Sequence, residues 1–322
     1  MEIATVDIGG THARFALAQV EGGKVTTLDA GVTFKTAEHA SLQTAWEAFG
    51  AQIGLPLPRA VALAVACPVT GEVLKLSNNP WIIRPALIGS KLGVDVVTLV
   101  NDFGAVGHAV SELQAGDLRH ICGPNIDLPS DGVISIVGPG TGLGVAHILR
   151  RDGLTHVISG EGGHMDYAPL DSIEDAILNY LRQRYRRVSI ERLVSGPGLL
   201  NIYEALAAIE GRPAVIHEDK ALWQTAIAGN DSLATAALDR FCRIMGSVAG
   251  DIALVHGASA VLIAGGIGPR IVELLPPSGF AERFAAKGRF EAMMGELPVK
   301  LITHPQLGLL GAAAAFAKEH QS

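Results

Sequence analysis

The chain has 322 residues, of which 48% are apolar and 18% charged, and it carries a formal net charge of −7. That composition supplies a buried core and lacks the signature of disorder, and at ~150 residues per domain the length suggests about two domains. The acidic balance argues against a nucleic-acid-binding surface, and the longest apolar run, residues 60–69, falls well short of the ~18 residues that a membrane span requires.

Three cysteines, Cys67, Cys122 and Cys242, lie far apart with no CxxC pair and with apolar neighbours. They read as small buried hydrophobes in a reducing compartment and offer no zinc or redox site. Glu2 and Asp7 sit in or beside the first strand, so no basic leader followed by an apolar stretch is expected there. The expectation is a soluble intracellular protein.

In chain order, residues 3–8 and 13–18 read as two strands joined by the turn Gly9-Gly10-Thr11, a hairpin. Residues 41–53 have helical spacing, with Leu42, Trp46 and Phe49 on one face. The continuous apolar run 60–66 suits a strand buried on both sides. A further apolar strand, 96–100, runs into Asn101-Asp102-Phe103-Gly104. Between residues 117 and 132 the composition shifts to Gly, Pro and Asp, and no long periodic segment survives.

Residues 133–137 and 143–149 then repeat the opening pattern of strand, glycine-rich turn and strand, with Gly138-Pro139-Gly140-Thr141-Gly142 at the bend. The chain thus reads as two similar halves. Helical spacing follows at 172–185, 198–209 and 232–255, then a buried strand at 260–264 capped by Gly265-Gly266-Ile267-Gly268, and an Ala-rich helix at 308–319. Arg182, Arg184, Arg186 and Arg187 read as a solvated helix face, with a phosphate or partner contact as the alternative.

Several of these segments carry chemistry. A two-glycine turn exposes backbone N–H groups, and Thr11 adds a hydroxyl, so Asp7-Ile8-Gly9-Gly10-Thr11 suits phosphate oxygens, with Asp7 able to hold magnesium through water. A plain hairpin turn is the competing reading. The second turn changes the balance, because Gly138, Gly140 and Thr141 offer the same groups from the other half. Gly265 and Gly266 give a flat backbone surface for a nucleobase. No GxxxxGK[ST] phosphate loop is present.

Asp102, at the end of an apolar strand, is placed to take a proton from a substrate hydroxyl, and an Asx-turn at Asn101-Asp102 is the structural alternative. Glu161 and His164 stand three residues apart on a glycine-rich loop. With no third ligand at sensible spacing they suit sugar hydroxyls better than zinc. Glu191, after Ser189, either favours a helix N-terminus or joins such a site.

The segments Asp7-Ile-Gly-Gly-Thr-His-Ala-Arg14, Leu99-Val-Asn-Asp-Phe103, Gly138-Pro-Gly-Thr-Gly142, Glu161-Gly-Gly-His-Met-Asp166 and Ser195-Gly-Pro-Gly198 together resemble the bacterial glucokinases, in order and along essentially the whole chain. The resemblance implies an α/β, two-domain hexokinase/actin-like (ribonuclease H-like) fold with an active-site cleft between domains. It implies a small domain of residues 1–108 plus 309–322 and a large domain of 109–308. It further implies ATP-dependent phosphorylation of D-glucose on its 6-hydroxyl, with Mg2+ carried on the nucleotide.

By the same resemblance Asp102 is the general base. Asn78, which stands in a segment like the family's Asn-containing turn, joins Asn101, Asp102, Glu161, His164 and Glu191 around the sugar. Val6, Asp7, Ile8, Gly9, Gly10 and Thr11 form the ATP phosphate loop. A cytoplasmic homodimer is expected, with glucose and MgATP as its partners and neither nucleic acid nor membrane among them.

Related repressor-type sugar kinases carry a Cys-rich zinc motif after the sugar-binding His. Cysteines only at 67, 122 and 242 favour the zinc-free branch and no bound metal of the protein's own. A sugar-sensing transcription regulator would need a DNA-binding helix pair ahead of the first strand, and an actin- or chaperone-like ATPase would have no use for the Asn101-Asp102 and Glu161/His164 pairs. Within enzymes, a kinase for mannose, fructose or an amino sugar is the alternative, since pocket contacts alone set that choice.

Overall fold

A computed structural model describes residues 1–76 and 79–320. In chain order the strands are β1 Glu2–Ile8, β2 His12–Glu21, β3 Lys24–Leu28, β4 Val32–Lys35, β5 Ala60–Val65, β6 Leu74–Lys75, β7 Ile82–Ile83, β8 Val96–Asn101, β9 Leu118–Cys122, β10 Gly132–Pro139, β11 Leu143–Arg151, β12 Leu154–Gly160, β13 Ala258–Ile263 and β14 Val299–Ile302. The helices are α1 Leu42–Ile53, α2 Ile88–Leu92, α3 Asp102–Ala109, α4 Ser172–Arg182, α5 Gly196–Ile209, α6 Asp219–Ala228, α7 Ser232–His256, α8 Phe280–Ala285, α9 Glu291–Gly295 and α10 Leu307–Glu319. The chain divides into two compact units, Met1–Ala115 with His304–Ser322, and Gly116–Thr303. No helix among the described residues is long and apolar enough to cross a membrane.

The first unit holds a sheet in the order β3-β2-β1-β5-β8, with β4 also on β2. β5 is buried along its whole length, between parallel β1 and β8, and its alternation sorts residues by size. Val61, Leu63 and Val65 face the cluster that contains Trp46 and Phe49 of α1. Ala60, Ala62 and Ala64 face Ala312, Ala313 and Phe316 of α10. Small residues on that side let helix backbones come close to the sheet. The Thr5 hydroxyl on β1 donates to the carbonyl of Leu309, 2.8 Å away.

The second unit has the order β12-β11-β10-β13-β14-β9. Its core joins Val137, Val145, Val261 and Ile263 of the sheet to Trp223, Phe241 and Phe280 of the helices. The start of α4 is fixed by a buried charge cluster. Glu174, 1% exposed, accepts from Arg240 at 2.9 Å and pairs with Arg283 at 3.2 Å, while Asp171 caps the helix and binds both arginines.

The internal repeat is visible as topology. In each unit a strand, a glycine turn and an antiparallel return strand are followed by two further strands parallel to the first. Two details depart from the sequence reading. The stretch expected to lack regular structure contains β9, which pairs with β14. The arginine cluster is not a helix face: α4 ends at Arg182, and beyond it Arg184 pairs with Glu204 while Arg187 pairs with Asp166.

Candidate active site

In the first unit the candidate groups collect at the carboxyl ends of the parallel strands, where open α/β sheets bind ligands. Ile8, Val65 and Asn101 are register partners across β1, β5 and β8. The β1–β2 turn and the Asn101-Asp102 pair are therefore two strand spacings apart, about 10 Å.

The turn presents donors. Its carbonyls are engaged: Gly9 O accepts from Asn79 Nδ2 at 2.8 Å, Gly10 O from the Thr36 hydroxyl at 3.0 Å and Thr11 O from Thr36 N at 3.0 Å. The N–H groups of Gly10 and Thr11 have no partner among the described residues, which is the polarity a phosphate needs. Thr36 and Asn79, neither singled out by sequence, orient it. Asp7 pairs with Arg14 at 3.2 Å. Burial raises its pKa and Arg14 acts against that rise. Gly308 at the start of α10 lies so close that a Cβ there would be 2.6 Å from the Asp7 carboxyl carbon.

Asn101 is the N-cap of α3, its Oδ1 accepting from Phe103 N at 2.9 Å and Gly104 N at 3.1 Å, and its Nδ2 donating to Cys67 O at 3.3 Å. The Asx-turn reading was thus sound for Asn101. The cap places Asp102 in the first turn of α3, where a negative charge meets the favourable end of the helix dipole. Asn78 lies outside the described residues.

In the second unit Gly138 lies near the end of β10, Gly140 and Thr141 in the β10–β11 turn, and Gly265-Gly266, after parallel β13, packs against the end of β10. Gly265 has φ +78°, and a side chain there would run into Pro139 O, 2.5 Å from the position of a Cβ. Gly196 N donates to Gly140 O at 2.7 Å, so the Ser195-Gly-Pro-Gly198 segment that begins α5 braces the turn.

The sugar candidates are joined to the same turn. Glu161 and His164 are exposed at the end of β12, on the short helical turn Gly162–His164. Gly163 sits where a side chain would overlap Leu143 O, which seats that turn on β11. A two-stranded pairing follows: Ile190 N donates to Met165 O at 2.9 Å and Tyr167 N to Val188 O at 3.0 Å. Arg187 adds bonds to Asp166 Oδ1 at 2.5 Å and His164 O at 2.7 Å. This carries Glu191, on the helical turn Ile190–Arg192, to Leu143, whose N–H donates to its Oε2 at 2.9 Å. Glu161, His164 and Glu191 therefore share one hydrogen-bonded frame. Glu191 stands in the first turn of Ile190–Arg192, whose N-cap is Ser189, as the helix-start reading expects, and it also accepts from Leu143 N. Among the described residues no cluster of three or more His, Cys, Asp or Glu is arranged to hold a metal.

Comparison with known proteins places the chain in a family. A family model described as Glucokinase matches residues 5–319. A glucokinase of Zymomonas mobilis is 62% identical over 320 residues, 99% of each chain. A solved glucokinase from an Antarctic psychrotroph superposes with a TM-score of 0.83 at 34% identity, covering 97% of this chain and 98% of that one. A glucokinase of Balamuthia mandrillaris, solved with glucose, has a TM-score of 0.79 at 20% identity, covering 99% and 93%. The fold is the two-domain hexokinase/actin-like one, and the chain belongs to the glucokinase family.

Proposed function

We propose that this chain transfers the γ-phosphoryl group of ATP to the 6-hydroxyl of D-glucose, releasing ADP and glucose 6-phosphate. The observation that supports this most directly is the strand-end edge of the first unit. There a turn with unpartnered N–H groups and a carboxylate on a capped helix start lie two strands apart. Phosphoryl transfer asks for positioning and charge stabilisation more than covalent help, and this edge supplies both.

The roles follow from the groups present. The N–H groups of Gly10 and Thr11, and in the second turn that of Thr141, bind phosphate oxygens; Gly138 and Gly140 shape that turn, Gly140 N donating to Gly142 O at 2.8 Å, and Gly265 and Gly266 lie against the nucleobase. Asp102 accepts the proton of the 6-hydroxyl as its oxygen attacks the γ-phosphorus and the bond to the ADP oxygen breaks. Asn101 keeps one amide hydrogen for the sugar after capping α3 and bonding Cys67 O. Glu161 and His164 make no side-chain hydrogen bonds among the described residues and meet the remaining hydroxyls with Glu191. A hexose with a missing or inverted hydroxyl leaves one of these groups unpaired.

Asp7, one carboxylate beside a phosphate turn, fits the donor set that Mg2+ takes when it arrives on a nucleotide. When bound, the ion neutralises charge on the β- and γ-phosphates. A cytoplasmic homodimer completes the reading and rests on family resemblance.

The test is hexose-dependent ADP release by the wild type and Asp102→Ala. Turnover with glucose that falls by ~10² or more in the variant is expected, the scale of a lost general base. Equal turnover in both moves the base elsewhere, and no hexose-dependent turnover in the wild type discards the kinase reading.

A further inference from the structure

Gly142 is the last residue of the second glycine turn, next to the Leu143 N–H that binds Glu191. A Cβ on Gly142 would overlap Glu191 Oε2 and lie 3.2 Å from its Cδ. Gly142 is not among the glycines with positive φ, so its backbone imposes no need for glycine; the carboxylate does. Gly140, two residues earlier, has nothing within 4 Å of its Cβ position. The demand for an absent side chain is therefore local to the residue that faces Glu191.

Glu191 divides its carboxylate between two tasks. Oε2 is held by Leu143 N–H at 2.9 Å, while Oε1 makes no hydrogen bond among the described residues. The backbone around Glu191 is fixed from the other side by the bond from Ile190 N to Met165 O. A displacement of the turn thus reaches the carboxylate directly.

We propose that Gly142 is a positioning residue whose missing side chain docks Glu191 on the nucleotide turn, so that glucose and nucleotide binding are energetically coupled through this carboxylate. The proposal rests on the reading of Glu191 as a sugar ligand and of the turn as a phosphate site. Coupling of this kind is reciprocal: nucleotide that orders the turn tightens glucose, and glucose tightens nucleotide by the same factor.

The experiment is isothermal titration of glucose with and without a non-hydrolysable magnesium–ATP analogue. The proteins are the wild type, Gly142→Ala, Glu191→Asp and the double variant, each checked for folding by circular dichroism. In the wild type the analogue tightens glucose several-fold. Gly142→Ala weakens glucose by about tenfold or more, the scale of one charge-assisted hydrogen bond, and the effect of the analogue shrinks towards none. In the E191D background the shorter side chain leaves room for the methyl, and G142A adds less than about threefold.

Glu191→Gln keeps an acceptor at the same reach. It is expected to weaken glucose yet preserve the effect of the analogue, which keeps the question decidable if the alanine variant does not fold. Glucose affinity in G142A within about twofold of the wild type, an equal cost of G142A in both backgrounds, or loss of the analogue's effect in E191Q overturns the proposal. A wild type that binds no glucose overturns the functional reading beneath it.

Discussion

Gly311, in the interior of α10, gives a prediction whose sign runs against helix propensity. Replacing an interior helical glycine by alanine ordinarily stabilises by about 1 kcal/mol. Here the added Cβ would overlap the Ala105 carbonyl of α3 and lie 3.1 Å from the Ala105 Cα. The opposing atoms are backbone of a hydrogen-bonded helix, so no rotamer change relieves the overlap. The cost falls at the upper end of the ~1–3 kcal/mol range for overpacking, leaving Gly311→Ala about 2 kcal/mol less stable after the propensity gain. At roughly 2–3 °C per kcal/mol, Tm drops by about 4–6 °C.

Gly295, the exposed last residue of α9, has nothing within 4 Å of its Cβ position and no positive φ, and Gly295→Ala is neutral or slightly stabilising. Urea and thermal unfolding by circular dichroism compare the pair. On the proposed role of Asp102, with which α3 begins, G311A is also expected to lower kcat. A Gly311→Ala protein as stable as the wild type, or more so, would refute the argument that α3 and α10 meet through backbone at this point.

Two more outcomes test other parts of the fold. Glu174→Ala removes the buried carboxylate between Arg240 and Arg283 and leaves both cations to Asp171. Breaking such a cluster costs about 3–5 kcal/mol, seen as a Tm loss of about 6–12 °C; a loss below about 2 °C would mean that Asp171 and solvent suffice. His108 on α3 is pushed down to about 4 by burial, reinforced by the Lys318 ammonium, whereas it titrates near ~6.5 when unfolded. The unfolded chain therefore binds the proton first, and this group's contribution to stability is full above pH ~6.5 and lost as the pH falls towards 4, by at most about 3 kcal/mol. Urea midpoints between about pH 7 and about 4.5 should fall less steeply in His108→Gln; identical slopes would assign the loss to other groups.

The hairpins, the buried central strand and the capped Asn101-Asp102 junction were legible because local signals suffice for them: period-two alternation, glycine pairs, and an Asn whose side chain serves its own backbone. What escaped depends on partners distant in sequence. β9, Leu-Arg-His-Ile-Cys, is a strand because β14 offers it an edge, and β14 buries Lys300 to 9% exposure, which no propensity foretells. The helix-start position of Glu191 was legible from Ser189, but its bond to Leu143 N was not, because the two lie 48 residues apart. The arginines after α4 looked like a helix face because Gln183 and Arg184 continue the spacing, and only the contacts of Arg187 with His164 O and Asp166 reveal a brace.

The two units share a plan but not their chemistry, and the difference separates a repeated frame from segments particular to each unit. In both, a glycine turn ends the first strand beside a parallel neighbour, β5 in one and β13 in the other. Only the first unit follows its third parallel strand with a capped helix that begins in a carboxylate. Only the second extends its outer strand, β12, into a loop bearing Glu161 and His164, tied back to Glu191. On the proposed function the duplicated turns answer to phosphate, a ligand with no stereochemistry to read, for which backbone N–H groups are enough. On the same proposal the unduplicated segments answer to a ring of hydroxyls whose configuration has to be distinguished, and that requires side chains held at fixed mutual positions. The pairing of residues 165–167 with 188–190 and the bond from Leu143 to Glu191 supply that fixity. On the proposed function, choice among hexoses resides in the segments particular to each unit, while the repeated frame sets where the phosphoryl group is delivered.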